Sequence, residues 1–292
     1  MFFSARISVP NLVPMPGSPT KSHEQPGTDL TSAQVPAPSS AAPAWAAPDL
    51  ADPHALADKP ARVQRMFGAI AESYDLNNRV HSLGQDQRWR KFAVKSAIVK
   101  PGEHVLDVAC GTGDLTEAFA SSPAAKVTGV DFTRAMLDIA ERKRPTRLPP
   151  ELGAKVSYHE GDAMALRFPA ASFDVVSIAF GIRNVADPAK AIAEFFRVLR
   201  PGGRLVVLEF DRPRWFPMNL FYDFYCGWVM PRTATLISRD QSGAYRYLPR
   251  SVGTFMSRSE MCGRMAGAGF SDVTATGLSL GICVCYRAFK QA

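Results

Sequence analysis

Between residues 104 and 210 the chain switches repeatedly between two hydrophobic periods, and few folds accept such a pattern. The apolar runs "HVLDVA" (104–109), "KVTGVD" (126–131), "KVSYHEGD" (155–162), "FDVVSIAF" (173–180) and "RLVVLEF" (204–210) read as strands. Between them, "LTEAFA", "RAMLDIAERK" and "AKAIAEFFRVLR" (189–200) have helical spacing, the last stopped by Pro201 and Gly202. Strands separated by helices pair in parallel and bury both faces of their sheet. After residue 270, "DVTATGL" and "ICVCYRAF" are β-rich and close in sequence, so they pair antiparallel at the sheet's edge. The expected fold is α/β, a doubly wound, mostly parallel seven-stranded sheet of Rossmann-like type with an antiparallel C-terminal edge strand.

Other segments frame this sheet. Residues 1–60 hold 11 of the 23 prolines and few large apolar side chains, so they read as a disordered Pro/Ala-rich tail. Residues 61–292 form the folded domain. Within it, "RVQRMFGAIAESYDLNNRV" and "DQRWRKFAVKSAIV" make residues 61–100 a helical lid, and 211–258 is an aromatic-rich insertion. The folded part carries 31 basic against 22 acidic residues, which favours anionic partners or simply a solvated basic surface. No run of about 18 apolar residues exists to span a bilayer. Five cysteines without a CxxC pair and five scattered histidines indicate neither a disulfide framework nor a metal site, and the reading is a reduced, cytoplasmic compartment without organelle targeting.

The turn "VACGTGDLT" (108–116) follows the first strand. A dinucleotide turn needs a third glycine where Thr116 stands, and Asp114 at the helix start opposes a phosphate. S-Adenosylmethionine carries no phosphate and has a cationic sulfonium and an ammonium, so the acids favour it. The backbone of Gly111, Thr112 and Gly113 can approach it closely. Asp131, 18 residues after Gly113, closes the second strand where a carboxylate accepts ribose hydroxyls. Asp162 closes the third, where it accepts from an adenine amino group beside the amide of Ala163. Each acid alone is more often a strand-end cap or a solvated residue; the three successive strand ends together carry the reading.

The stretches "MFGAIAESYDLNN", "SLGQDQRWR", "LDVACGTGDLT", "FGIRNVADP", "RVLRPGGRLVVLEF", "AYRYLPRSV" and "AGFSDVTATGLSLGI" resemble the ubiquinone/menaquinone biosynthesis C-methyltransferase family, from Val63 to Lys290. The resemblance implies cofactor contacts at Thr112, Asp131, Asp162 and Ala163, with a further one at Ala179, where some members have serine. It also implies that Met66, Phe67 and Tyr74 close over the cofactor. The chain departs from the family pattern at Asn77, His81, Asp86 and Asp211, mostly in the lid.

Methylation of a ring carbon needs a quinol whose hydroxyl has lost its proton, held in line and with its charge stabilised. Arg183 and Asn184 follow the fourth strand and are the candidate catalytic pair: Arg183 neutralises the phenolate and Asn184 orients an oxygen. The alternative for Arg183 is a bridge to Asp187 or Glu209. No general base stands out among His81, His159, Tyr74 and Tyr245. In 214–231, Phe216, Leu220, Phe224 and Trp228 recur every fourth residue. That stripe is either core packing or a trough for a polyprenyl tail that also touches an anionic membrane surface at its inner face, helped by Arg212, Arg214 and Arg232.

The expected activity is therefore S-adenosylmethionine-dependent C-methylation of a polyprenylated quinol, a menaquinone or ubiquinone precursor, without metal. Nucleic acid is not an expected partner, because "AFGIRN" stands where amino-group methyltransferases carry an N/D-P-P-Y/F motif. Rival readings are a methyltransferase for another lipid-like acceptor and a non-catalytic scaffold in a quinone-synthesis assembly.

Overall fold

The computed structural model describes residues 43–292. The five expected parallel strands form as β1 (His104–Val108), β2 (Lys126–Asp131), β3 (Val156–Glu160), β4 (Phe173–Ala179) and β5 (Leu199–Phe210). With β6 (Ser271–Leu278) and β7 (Cys283–Phe289) they make one sheet in the order β3-β2-β1-β4-β5-β7-β6. Only β7 runs against its neighbours, lying between β5 and the edge strand β6. The strand order reverses between β1 and β4, and in such sheets ligands collect at the carboxyl ends of the strands beside that reversal.

The helices are α1 (Lys59–His81), α2 (Gln85–Ala97), α3 (Asp114–Ala120), α4 (Arg134–Arg147), α5 (Pro150–Gly153), α6 (Pro188–Val198), α7 (Met218–Phe224), α8 (Met230–Ser238), α9 (Ala244–Gly253) and α10 (Arg258–Gly267). Local chemistry sets several of their ends. Asp187 caps α6 by accepting from the amides of Ala189 and Lys190, with Pro188 in the first turn where a missing N–H does no harm. Ser257 and Glu260 form a reciprocal capping box on α10. The helix expected over 189–200 ends at Val198 because the chain already pairs with β4 from Leu199 onward.

Two apolar layers sandwich the sheet. Ile192 and Phe195 of α6 pack with Met261 and Met265 of α10 on one face. Trp89 and Ala93 of α2, Phe119 of α3 and Leu137 of α4 fill the other. Helix α2 is thus part of a core layer, and of the expected 61–100 lid only α1 lies over the strand ends. A third cluster joins Met66 and Ile70 of α1 to Tyr245 and Tyr247 of α9.

That third cluster also contains Ala44 and the fully buried Trp45, which corrects the tail boundary at residue 60. Trp45 stacks on Tyr247 at 4.1 Å between ring centroids, and Leu50 and Leu56 pack alongside. Composition averages these few anchors with their Pro/Ala surroundings, although one buried tryptophan outweighs several disordering residues. Residues 1–42 of the expected tail lie outside the described residues.

The insertion also resolves one alternative. From Met218 to Ser238 the chain is a helical rod with a π-turn over Tyr225–Val229. Phe216, Leu220, Phe224 and Trp228 are all more than half exposed, so this stripe is not core packing. Among the described residues no helix is long and apolar enough to cross a membrane.

Candidate active site

Two clefts meet at the carboxyl ends of β1, β2 and β4. The first, about 820 Å³ counting its open mouth, is lined by Gly111, Asp131, Phe132, Asp162, Ala163 and Ala179, and by Val63, Phe67 and Tyr74 of α1. Asp131 is buried at the end of β2, where the Gly111 amide donates to Oδ2 and the Thr133 amide to Oδ1, each at 2.8 Å. Each oxygen keeps a second lone pair for a ligand hydroxyl. Burial outweighs these backbone donors and pushes the carboxyl up to about 6. Asp162 accepts from the Met164 amide at 2.8 Å, which fixes its orientation toward the cleft. This donor set suits S-adenosylmethionine: a paired acceptor for ribose, a second acid for adenine, and exposed turn backbone at Gly111.

Thr112 and Gly113 are placed differently from the sequence reading and do not line this cleft. The Thr112 hydroxyl donates to Asp75 Oδ1 of α1 at 2.6 Å, and its carbonyl accepts from Lys143 at 3.1 Å. Gly113 has φ +89°, and a Cβ there would collide with the Tyr158 hydroxyl. Asp114 neither caps α3 nor faces the cleft. It pairs with Arg79 of α1 at 2.6 Å and with Lys143 at 3.1 Å, and although burial opposes it, Arg90, Lys143 and Arg79 hold the carboxylate at about 2. Arg79 reaches Asp86 as well, so α1, α2 and α3 are tied by one charge network. Asp107, which accepts from Thr116 and Ser177 at 2.7 and 2.8 Å, fastens α3 and β4 to β1.

The second cleft encloses about 1550 Å³ counting its mouth. Phe180, Phe210 and Trp89 form its floor, Met218, Tyr222 and Met230 its outer wall, and it shares Tyr74 and Phe180 with the first. Arg183, on the 3₁₀ turn Ile182–Asn184, lines this second cleft. Its guanidinium is buried against Glu209, donates to the Phe180 carbonyl at 2.9 Å, and lies 5.3 Å from the centre of the Phe210 ring. The alternative bridge to Glu209 therefore exists, while Asp187 is occupied by its cap. Nη2 of Arg183 has no partner among the described residues, so the bridge leaves one donor nitrogen free.

Asn184 lines the first cleft, so the expected pair divides between the two. Its Nδ2 donates to the Phe180 carbonyl at 3.2 Å and its Oδ1 accepts from Tyr247 at 2.9 Å. Each end of the amide spends one hydrogen bond on shaping the turn, and a second Nδ2 hydrogen and a second Oδ1 lone pair remain. Among the base candidates, His81 sits in the second cleft 2.9 Å from the Tyr225 hydroxyl, and burial lowers its pKa. Burial raises Tyr74 and Tyr245 above the ordinary phenol range. His159 packs edge-on against Phe168 and lines neither cleft.

Sequence reasoning missed Lys59. Its buried ammonium donates to the carbonyls of Arg183 at 2.9 Å and Val185 at 2.7 Å, and burial together with the Arg183 charge lowers it to about 8. A lysine inside a proline-rich stretch gave no signal of this. Glu209 was visible only as the alternative partner of Arg183, and Tyr247 not at all.

Fold and clefts together define an S-adenosylmethionine-dependent methyltransferase of the doubly wound kind. An S-adenosylmethionine-dependent methyltransferase of Thermotoga maritima, described as a possible histamine N-methyltransferase, superposes with a TM-score of 0.56 at 21% identity, over 78% of this chain and 100% of its own. The chain belongs to the ubiE/COQ5 methyltransferase family, whose model matches residues 56–290. A demethylmenaquinone methyltransferase of Thermus thermophilus is 49% identical over 70% of this chain and 91% of its own. A ubiquinone/menaquinone biosynthesis C-methyltransferase of Geotalea daltonii is 39% identical over 80% of this chain and 99% of its own.

Proposed function

We propose that this chain transfers a methyl group from S-adenosylmethionine to a ring carbon of a polyprenylated quinol, a demethylmenaquinol or a benzoquinol precursor of ubiquinone. The observation that carries this reading is the large, mainly apolar second cleft, which touches the cofactor cleft at Tyr74 and Phe180 and holds the buried Arg183. Asp131 would hold the ribose, Asp162 with Ala163 the adenine, and the Gly111 backbone the remainder. When bound there, S-adenosylmethionine supplies an electrophilic methyl group.

The chain's own residues prepare the nucleophile. A quinol hydroxyl gives up its proton to solvent at the cleft mouth more readily beside a guanidinium in an apolar cleft, because the phenolate's charge is met by Nη2 in a medium of low dielectric; once the ring carbon has taken the methyl group, leaving S-adenosylhomocysteine, loss of that carbon's own proton restores the aromatic ring. Glu209 offsets the desolvation of Arg183 and aims the guanidinium, and Asn184 with Lys59 fixes the turn that carries it. Aromatic walls exclude water from the anion.

A peripheral membrane contact belongs to this reading. The outward stripe Phe216, Leu220, Phe224 and Trp228 backs the wall of the acceptor cleft, with Arg214 and Arg232 beside it. Arg232 stacks on Trp228 at 4.6 Å, a pairing suited to an anionic headgroup layer.

The deciding assay supplies labelled S-adenosylmethionine with demethylmenaquinol, a demethoxyubiquinol-type acceptor and a sterol. Label on a quinol ring carbon supports the proposal and identifies the ring. Label on the sterol alone, or on nothing, overturns it, the latter in favour of a scaffold.

A further inference from the structure

Residues 43–59 reach the turn that carries Arg183 and Asn184 by two separate lines of contact. Along the first, Trp45 stacks on Tyr247 with ring planes 18° apart, and the Tyr247 hydroxyl donates to Asn184 Oδ1 at 2.9 Å. Along the second, His54 Nε2 donates to the Ser251 carbonyl at 3.0 Å, Ser251 Oγ accepts from Arg183 Nε at 3.3 Å, and Lys59 caps two carbonyls of the turn. Lys59 also donates to His54 Nδ1 at 3.2 Å, which joins the second line to the first residue of α1.

Gly243 has φ +82°, and a Cβ on it would strike the Trp45 carbonyl. Trp45 in turn donates its amide to the Ser242 carbonyl at 3.0 Å. The chain at 242–243 is thus shaped to admit the segment. The family match begins at residue 56, so Trp45 and His54 lie ahead of it.

We propose that residues 43–59 form a strap that positions the Arg183–Asn184 turn for methyl transfer, with Trp45 acting through Tyr247 on Asn184; this rests on the role given to that turn above. Trp45 touches neither cleft, so it is a positioning residue and its loss acts on turnover rather than on cofactor binding. Tyr247 holds Asn184, Asn184 holds the Phe180 carbonyl, and Arg183 donates to that same carbonyl. A shift of Asn184 therefore moves the guanidinium.

The test is a double-mutant cycle on the full chain with a quinol acceptor, reading kcat, the KM for S-adenosylmethionine and melting temperature. Trp45→Ala and Tyr247→Phe are each expected to lower kcat about tenfold while KM stays within about twofold, as for loss of one buried hydrogen bond. The double variant is expected to be no slower than either single one, since both cut the same line. Trp45→Phe keeps a stacking ring and is expected to restore most of the turnover.

Multiplying effects in the double variant overturn the proposal, as does a Trp45→Ala protein that melts earlier but turns over normally. If Trp45→Ala does not fold, Tyr247→Phe, which removes only the hydroxyl, decides alone. Asn184→Ala separates the two levels. A slow Asn184→Ala beside a normal Tyr247→Phe overturns the strap only, whereas a normal Asn184→Ala overturns the role of the turn and the strap with it.

Discussion

Arg183 and Glu209 form a buried ion pair across the ends of β4 and β5, and the same carboxylate also accepts the Arg183 backbone amide at 3.4 Å. Removing either partner alone strands a charge away from water. Glu209→Gln and Arg183→Ala are each expected to lose about 3–5 kcal/mol of stability in urea unfolding, and the double variant less than their sum. Arg183→Ala is also expected to bind S-adenosylmethionine by calorimetry yet turn over at least about a hundredfold more slowly. Near-normal turnover would remove Arg183 from the chemistry.

Asp131 gives cofactor binding a pH dependence. Burial raises its pKa to about 6 in the free protein, and ribose hydroxyls donating to it favour the ionised form, so the bound value lies lower. Affinity is then full above about 6 and falls as pH drops from there toward the lower bound value. Calorimetric titration with S-adenosylhomocysteine between pH 5 and 8 measures the slope. Asp131→Asn is expected to flatten it and to weaken binding about tenfold to a hundredfold; a wild-type affinity constant over this range contradicts the assignment.

Thr112 offers a choice between two roles. If it serves the lid through Asp75, Thr112→Val and Asp75→Asn weaken cofactor binding by the same modest factor, about fivefold. Hydrogen exchange in α1 rises equally in both. A Thr112→Val defect that Asp75→Asn does not share shows instead a direct contact with the ligand.

Gly113 is constrained by sterics. Gly113→Ala must force a Cβ into the Tyr158 hydroxyl at a φ of +89°, and is expected to destabilise by about 2–3 kcal/mol. Because that hydroxyl has no partner among the described residues, Tyr158→Phe is expected to be neutral and to recover part of the loss in the double variant. Chemical denaturation of the four proteins reads the cycle.

The exposed insertion predicts flotation with anionic liposomes at low salt and release as ionic strength rises. Phe224→Ser and Trp228→Ser, both on the exposed stripe, are expected to fold normally and to weaken partitioning about tenfold each. A wild-type protein that stays at the bottom of the gradient at low salt contradicts the membrane contact.

The sheet and the positions of its strand ends were legible because both follow from periodicity: alternation gives parallel strands, Asp131 ends the second, and Asp162 follows two residues after the third. Side-chain traffic between distant elements was not. Nothing near Thr112 shows that Asp75 of α1 will take its hydroxyl, and nothing near Arg79 shows that it will join Asp86 to Asp114. A stripe at every fourth position tells which of Phe216, Leu220, Phe224 and Trp228 share a face, but the neighbours decide whether that face turns inward. Trp45 is the same lesson reversed, since its burial depends on Tyr247, two hundred residues away in the chain.

Helix α1 borders both clefts, Val63 and Phe67 roofing one and His81 edging the other, with Tyr74 between. From Pro60 to His81 it is about 32 Å long at the usual rise, enough to give the two reactants separate doors. On the proposed reading, a water-borne methyl donor would enter at one end of this helix and a lipid-borne acceptor at the other, so exchange of the donor would not require release from a membrane surface.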